Sequence, residues 1–192
     1  KADDASFLIL PEVIAYSVKG SGTGHFLQPT PGKLNGQSVA GFVADTRFDT
    51  DRGFYDAPFD VHITNDTPGS MIVFTTDGSE PSMSNGTQIA AGDNQMAPIA
   101  TLHLATTTVL RARAFKDGFE PTNTDTQTYI FLDDVIASNV MNASITQDPR
   151  YAPNIKAGLG DLWTISIVCD RVMNDTTPVP SSVELIRPDG IQ

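Results

Sequence analysis

The 192-residue chain has one cysteine, Cys169, so it has no internal disulfide framework and no cysteine-rich zinc site. Basic residues are few as well: 12 Lys and Arg against 23 Asp and Glu give a formal net charge of −11. Phosphate attraction needs Lys and Arg, and this balance argues against nucleic acid as a partner. Long apolar runs are missing, and none approaches the roughly 20 residues of a membrane span. Glutamate is scarce too, with four residues against nineteen aspartates. A helix-rich surface would favour Glu, Lys and Ala, whereas Asp with 15 Gly, 13 Pro and abundant Thr suits turns and strands.

What is present is organised along the chain. It starts at Lys1 and stops on the turn signal Pro188-Asp189-Gly190, with no signal peptide or cleavage site visible, and reads as a piece of a longer protein. Missing targeting signals therefore say little about compartment. Residues 6–18 read as two short strands broken at Pro11, which has no N–H to give a central ladder. Gly20, Gly22 and Gly24 make a flexible loop, and residues 25–36 form a Pro/Gly linker. A domain boundary falls near residues 36–46.

From Phe48 to Leu132 the pattern becomes regular. Phe59–Thr64 alternates, with Phe59, Val61 and Ile63 on one face. Met71–Thr76 is an apolar and β-branched run ending in Asp77-Gly78, a strong hairpin-turn signal. Ile99–Leu104 alternates less cleanly. Thr107–Lys116 puts Leu110, Ala112 and Ala114 on one face, with Val109, Arg111, Arg113 and Phe115 on the other. Asp117-Gly118 makes a second turn, and Thr126–Phe131 forms the last strand. Strands separated by turns every ten residues or so predict an antiparallel sandwich.

After Leu132 the character changes. Asp133-Asp134 opens a helix. Asp148 is a candidate N-cap, with Pro149 at the first position of a helix across Arg150–Leu159. Leu162–Asp170 reads as a buried strand and Val183–Ile186 as another. This tail needs partners to cover its strands.

The stretch Pro68-Gly69-Ser70-Met71-Ile72-Val73-Phe74-Thr75-Thr76-Asp77-Gly78-Ser79-Glu80-Pro81 is followed by a second one, Thr106-Thr107-Thr108-Val109-Leu110-Arg111-Ala112-Arg113-Ala114-Phe115-Lys116-Asp117-Gly118. Together, in order and spacing, they resemble the chitobiase/β-hexosaminidase carboxy-terminal domain. That resemblance implies an immunoglobulin-like sandwich, with one complete copy over residues 47–132. Phe26 to Gly36, with Pro29-Thr30-Pro31-Gly32 and Asn35-Gly36, looks like the end of a lamin-tail domain. Residues 129–135, Asp148-Pro149-Arg150-Tyr151 and Ile165-Ser166-Ile167-Val168 resemble the start of a spore-coat CotH kinase-like domain. The nucleotide-binding and catalytic parts of that last family have no counterpart here, and no kinase residue is carried over. Nor are glycosidase carboxylates, which in chitobiase belong to its barrel.

Each residue type that could carry chemistry also has a structural role in this sequence. Asp49-x-Asp51-x-Gly53 with Asp56 resembles half of a calcium loop, but the twelve-residue pattern fails, and an Asp-rich turn accounts for the same residues. Asp77-x-x-Glu80 is read in the same way. His25, His62 and His103 lack metal spacing, and His62 and His103 fall at solvent-facing strand positions. Gly20-Ser21-Gly22 lacks the strand-to-helix elbow of a serine nucleophile. Cys169 sits at the end of an apolar strand, where a buried inert thiol is the rule. Trp163 reads as core, and Tyr55 as the best exposed aromatic for stacking on a sugar face, with Tyr16, Tyr129 and Tyr151 dispersed. Asn65, Asn85, Asn142 and Asn174 head glycosylation sequons that composition alone would produce.

The expectation is a mainly β protein, an antiparallel Ig-like or fibronectin-III-like sandwich with a short α+β C-terminal tail. Residues 1–41 would end a lamin-tail-like domain, 42–132 form the sandwich, and 133–192 start a CotH-like region. No catalytic, cofactor-binding or metal residue is assigned. What the resemblance implies is a non-catalytic spacer or adhesion platform of a larger secreted or cell-surface bacterial protein, its expected partners being other domains of the same polypeptide and polysaccharide or cell-surface components. Two alternatives stand beside it: a carbohydrate-binding accessory module, and the N-terminal fragment of a CotH-like kinase.

Overall fold

The alternating stretches of the central segment pair into two facing sheets. The computed structural model describes residues 15–18, 23–27, 38–138, 140–170 and 178–188. The expected strand before Ala15, the Gly20–Gly22 loop, most of the 25–36 linker and the Asn174 sequon lie outside those residues. The strands β1 (Ala15–Val18), β2 (Thr23–Phe26) and β3 (Ser38–Val39) form a small antiparallel sheet. Then follow β4 (Thr46–Phe48), β5 (Gly53–Phe54), β6 (Phe59–Asn65), β7 (Met71–Thr75), β8 (Thr87–Ala90), β9 (Ile99–Leu104), β10 (Thr108–Phe115) and β11 (Asp125–Ile130). The tail holds α1 (Leu132–Ala137), α2 (Ala143–Thr146), a 3-10 turn (Ala152–Asn154), α3 (Ile155–Gly160), β12 (Thr164–Cys169) and β13 (Ser181–Ile186).

One sheet of the sandwich has the order β4-β6-β9, the other β5-β11-β10-β7-β8. All pairs are antiparallel except β5 with β11, where two residues run parallel. In immunoglobulin lettering this is A-B-E against A′-G-F-C-C′, with β8 paired to C rather than to E. Strand alternation supplies the core. Val61, Ile63, Ala100, Leu102 and Leu104 face Ile72, Phe74, Leu110, Ala112 and Tyr129. Each large aliphatic side chain fully buried there contributes on the order of 1.5–3 kcal/mol. β9 alternates cleanly after all: Ala100, Leu102 and Leu104 point inward, and Ile99, Thr101 and His103 outward. Tyr129 has no exposed surface; its hydroxyl donates to Thr50 O at 2.8 Å, and burial pushes its phenol well above the usual range.

Asp77-Gly78 does turn the chain, but it does not close a two-residue hairpin. Asp77 Oδ1 accepts from Ser79 N and Oγ at 3.0 and 2.6 Å, and the Gly78 amide donates to Val109 O at 3.1 Å. These bonds send the chain toward β10 before it returns as β8, a strand the sequence reading missed. Gly86 makes the return possible. Its φ is +113°, and a Cβ there would lie 2.6 Å from Phe74 O.

The helices also differ from expectation. Asp148 caps a turn, accepting from Arg150 N at 2.8 Å, and the 3-10 turn begins only at Ala152. Pro149 therefore precedes the helical residues. At the other flank, residues 40–43 run beside 118–120, with Ala40 N donating to Gly118 O at 2.7 Å and Glu120 N to Gly41 O at 2.9 Å. No helix among the described residues is long and apolar enough to cross a membrane.

Candidate docking surface

The outer face of the larger sheet carries the side chains that β10 turns away from the core. An arginine side chain on an outer sheet face is ordinarily solvated. Here Arg111 is 8% exposed, because the β12–β13 hairpin lies over it. Its Nη2 contacts Glu80 Oε2 at 2.6 Å, while Nη1 donates to Asp170 Oδ1 at 2.9 Å and to Gly78 O at 3.2 Å. Glu80 also accepts from Thr124 Oγ1. One guanidinium thus ties β10, the turn after β7 and the end of β12. The planar fork of an arginine suits such a site better than a lysine would.

A second anchor sits one strand over. Glu184 of β13 is 5% exposed and accepts from Thr128 N and Thr128 Oγ1 on β11. With the Thr128 proton committed to Glu184, Ser166 Oγ donates to Thr128 Oγ1 at 2.8 Å. Burial pushes the Glu184 carboxyl above its ordinary range, an effect that the Thr128 bonds and the positive charge of Arg52 only partly offset. Apolar contacts finish the seam. Ile186 packs with Ile130 and Leu132, and a Cβ on Gly78 would meet Val168 Cγ1 at 3.2 Å.

The sequence reading expected a buried strand over Leu162–Asp170. The structure gives an amphipathic one: Thr164, Ser166 and Val168 face the sandwich, while Ile165 and Ile167 are exposed. Trp163 is likewise corrected from core to surface, 61% exposed, with the Arg187 guanidinium 5.1 Å from its ring centre. Tyr55 moves the opposite way. It stacks on Phe59 at 4.1 Å, leans on Tyr129 and donates its hydroxyl to Asp51 O, so it offers no open platform. Cys169 is half-buried rather than buried.

The three aspartates of the calcium reading are drawn to separate partners. Asp49 accepts from His62 N and meets the His62 ring at 2.7 Å. Against a raising contribution from burial, those bonds hold its carboxyl below the usual range. Asp51 meets Tyr55 through its backbone carbonyl, and Asp56 pairs with Lys156 Nζ at 3.1 Å. Among the described residues no group of three His, Cys, Asp or Glu could hold a metal ion. Asp77 caps Ser79 whereas Glu80 serves Arg111, which separates that pair as well. His103 lies at the surface against Asp60 at 2.7 Å, and His25 packs edge-on against Phe42. Among the sequon asparagines, Asn65 is buried, its Oδ1 accepting from Thr67 N and Ser70 Oγ, both at 2.9 Å. Asn142 caps α2, and Asn85 pairs with the 79–82 turn.

The sequence reading did not find Arg111 and Glu184 as docking residues. The available signal was an arginine in an otherwise apolar and β-branched strand and a glutamate in Ser-Val-Glu-Leu-Ile. Their pairing is nonlocal and needs the fold.

No curated protein matches the chain. Residues 50–128 match the family model described as chitobiase/beta-hexosaminidase C-terminal domain. The match spans β5 to most of β11, and so covers the strands whose motifs carry the resemblance and both anchor positions on the sandwich, Arg111 and Thr128. It gives no support to the lamin-tail and CotH likenesses of the flanks. The family is a non-catalytic accessory domain, and residues 50–128 are the part of the chain that matches it.

Proposed function

We propose that the central sandwich is a non-catalytic platform that holds neighbouring segments of the same polypeptide in fixed positions. One observation carries this: the sheet face of β10 and β11 is used to seat the β12–β13 hairpin through Arg111–Asp170 and Thr128–Glu184. The N-terminal flank is tied at a different place, along residues 118–120. A platform of this kind needs rigidity and buried polar seams rather than an activated nucleophile or a pair of poised carboxylates. Its setting in a larger secreted or cell-surface bacterial protein, and the division at 41/42 and 132/133, rest on the resemblance of the sequence. A carbohydrate-binding role does not gain from Tyr55, whose ring is stacked on Phe59.

Scanning calorimetry tests the reading. A platform fixed to its tail unfolds with it in one cooperative transition, and Arg111→Ala splits off a low-temperature step. Two independent transitions in the unaltered chain would mean that the sandwich and the tail are merely adjacent.

A further inference from the structure

The hairpin has a second face, and the sandwich does not use it. Register places Ile165 opposite Leu185 and Ile167 opposite Val183, with Cys169 opposite Ser181. The outward side chains of these pairs are 62%, 44%, 55% and 67% exposed for Ile165, Leu185, Ile167 and Val183. Trp163, the next position of the same alternation, extends the patch at its Thr164 end and is 61% exposed. Such a patch is on the order of 500 Å² of apolar surface, in the range of the largest patches that monomeric proteins leave open and that often mark interaction sites.

We propose that this face is an interface and that a second copy of the chain covers it, hairpin packed on hairpin with two-fold symmetry. Area is the first argument. A patch of this size with a polar rim approaches the roughly 800 Å² per partner of a standard interface. Charge is the second. A chain of net charge −11 brings carboxylates together when two copies approach at most of its surface. Of the positions that alternate onto this face, Ile165, Ile167, Cys169, Ser181, Val183 and Leu185 carry no charge, and the one charge beside them, Arg187, stands at the rim against Trp163. An apolar face whose charge is confined to the rim suits an isologous contact, in which the same patch serves both copies. Two sheets then pack about 10 Å apart with their side chains interdigitated.

The chain supplies its own probe, since Trp163 is the one tryptophan and sits at the edge of the patch. Sedimentation velocity on the whole chain is expected to show the 20.6 kDa species giving way to one of twice that mass as concentration rises. Over the same range Trp163 emission should shift to the blue and become protected from iodide. Ile167→Lys is expected to raise the dissociation constant roughly 30-fold or more, the effect of losing a central contact residue. Circular dichroism checks that this variant still folds, and the Trp163 signal of the unaltered chain stands whether it does or not. A chain that stays monomeric with Trp163 quenchable up to about 100 µM, where a Kd near 10 µM would already show, overturns the proposal. So does association that continues past two copies, or a dimer indifferent to Ile167→Lys with the variant folded.

Discussion

The sandwich and the hairpin beside it are both antiparallel β-structure, yet they treat their two faces differently. In the sandwich each sheet gives its apolar face to the other, and Val61, Ile63, Ile72 and Leu110 have no exposed surface. In the hairpin the face turned to the rest of the protein is the mixed one, Ser166, Val168, Glu184 and Ile186, and the more uniformly apolar face is open. The first region is held by burial, which is nondirectional and tolerant of small shifts. The second is held by directional bonds that specify one seat on the sheet. A two-stranded hairpin is marginal alone, so its order depends on that seat.

The contrast can be broken most forcefully in the core. Leu110→Ala removes a fully buried side chain and is expected to cost about 2–5 kcal/mol in chemical denaturation, whereas Leu185→Ala in dilute solution should cost under about 1 kcal/mol. Equal costs would erase the distinction. Next comes the seam. Arg111→Ala strands Glu80 and the partly exposed Asp170, and about 2–3 kcal/mol is expected, discounted from the larger figure for fully buried pairs because solvent reaches those carboxylates.

The pH profile gives a smaller effect with a definite sign. Burial raises Glu184 and Asp125 above their ordinary values, so the folded chain takes up those protons before the unfolded one does. Their contribution to stability rises as pH falls from above the raised value to the ordinary one, 4.5 for Glu184, and then levels off. Asp77 and Asp148, lowered by bonds from Ser79 and Arg150, act oppositely, as does Asp49. Their stabilisation is complete above the ordinary carboxylate range and is lost as pH falls through their lowered values. Glu184→Gln should therefore flatten the melting-temperature profile between neutral pH and about 4.5 while leaving the acid limb in place. An unchanged upper profile would mean that Glu184 is not seated as described. The smallest change is expected from the exposed pair between Arg47 on β4 and Asp66 just past β6, where Arg47→Ala should cost less than about 0.5 kcal/mol.

Local patterns in the sequence carried the sandwich. Alternation placed Leu110, Ala112 and Ala114 inward, and turn chemistry located Gly78 and Gly118, both with φ of +78°. The failures have a common cause. Leu-Trp-Thr-Ile-Ser-Ile-Val looks buried because every second residue is large and apolar, but period-two alternation says only that two faces differ, not which one is covered. Tyr55 and Trp163 trade their expected places for the same reason: the stacking of Tyr55 on Phe59 and the exposure of Trp163 depend on contacts that sequence distance hides. The Arg111–Asp170 bond spans 59 positions and the Thr128–Glu184 bond 56. No local window contains either.

Native-state amide exchange on the chain and on Arg111→Ala tests the platform most directly. If the sandwich holds the hairpin, the β12 and β13 amides of the unaltered chain share protection close to that of β7 and β10. In Arg111→Ala they should lose it while β7 and β10 keep theirs. Hairpin amides that exchange freely in the unaltered chain, or that are unmoved by Arg111→Ala, would contradict the account.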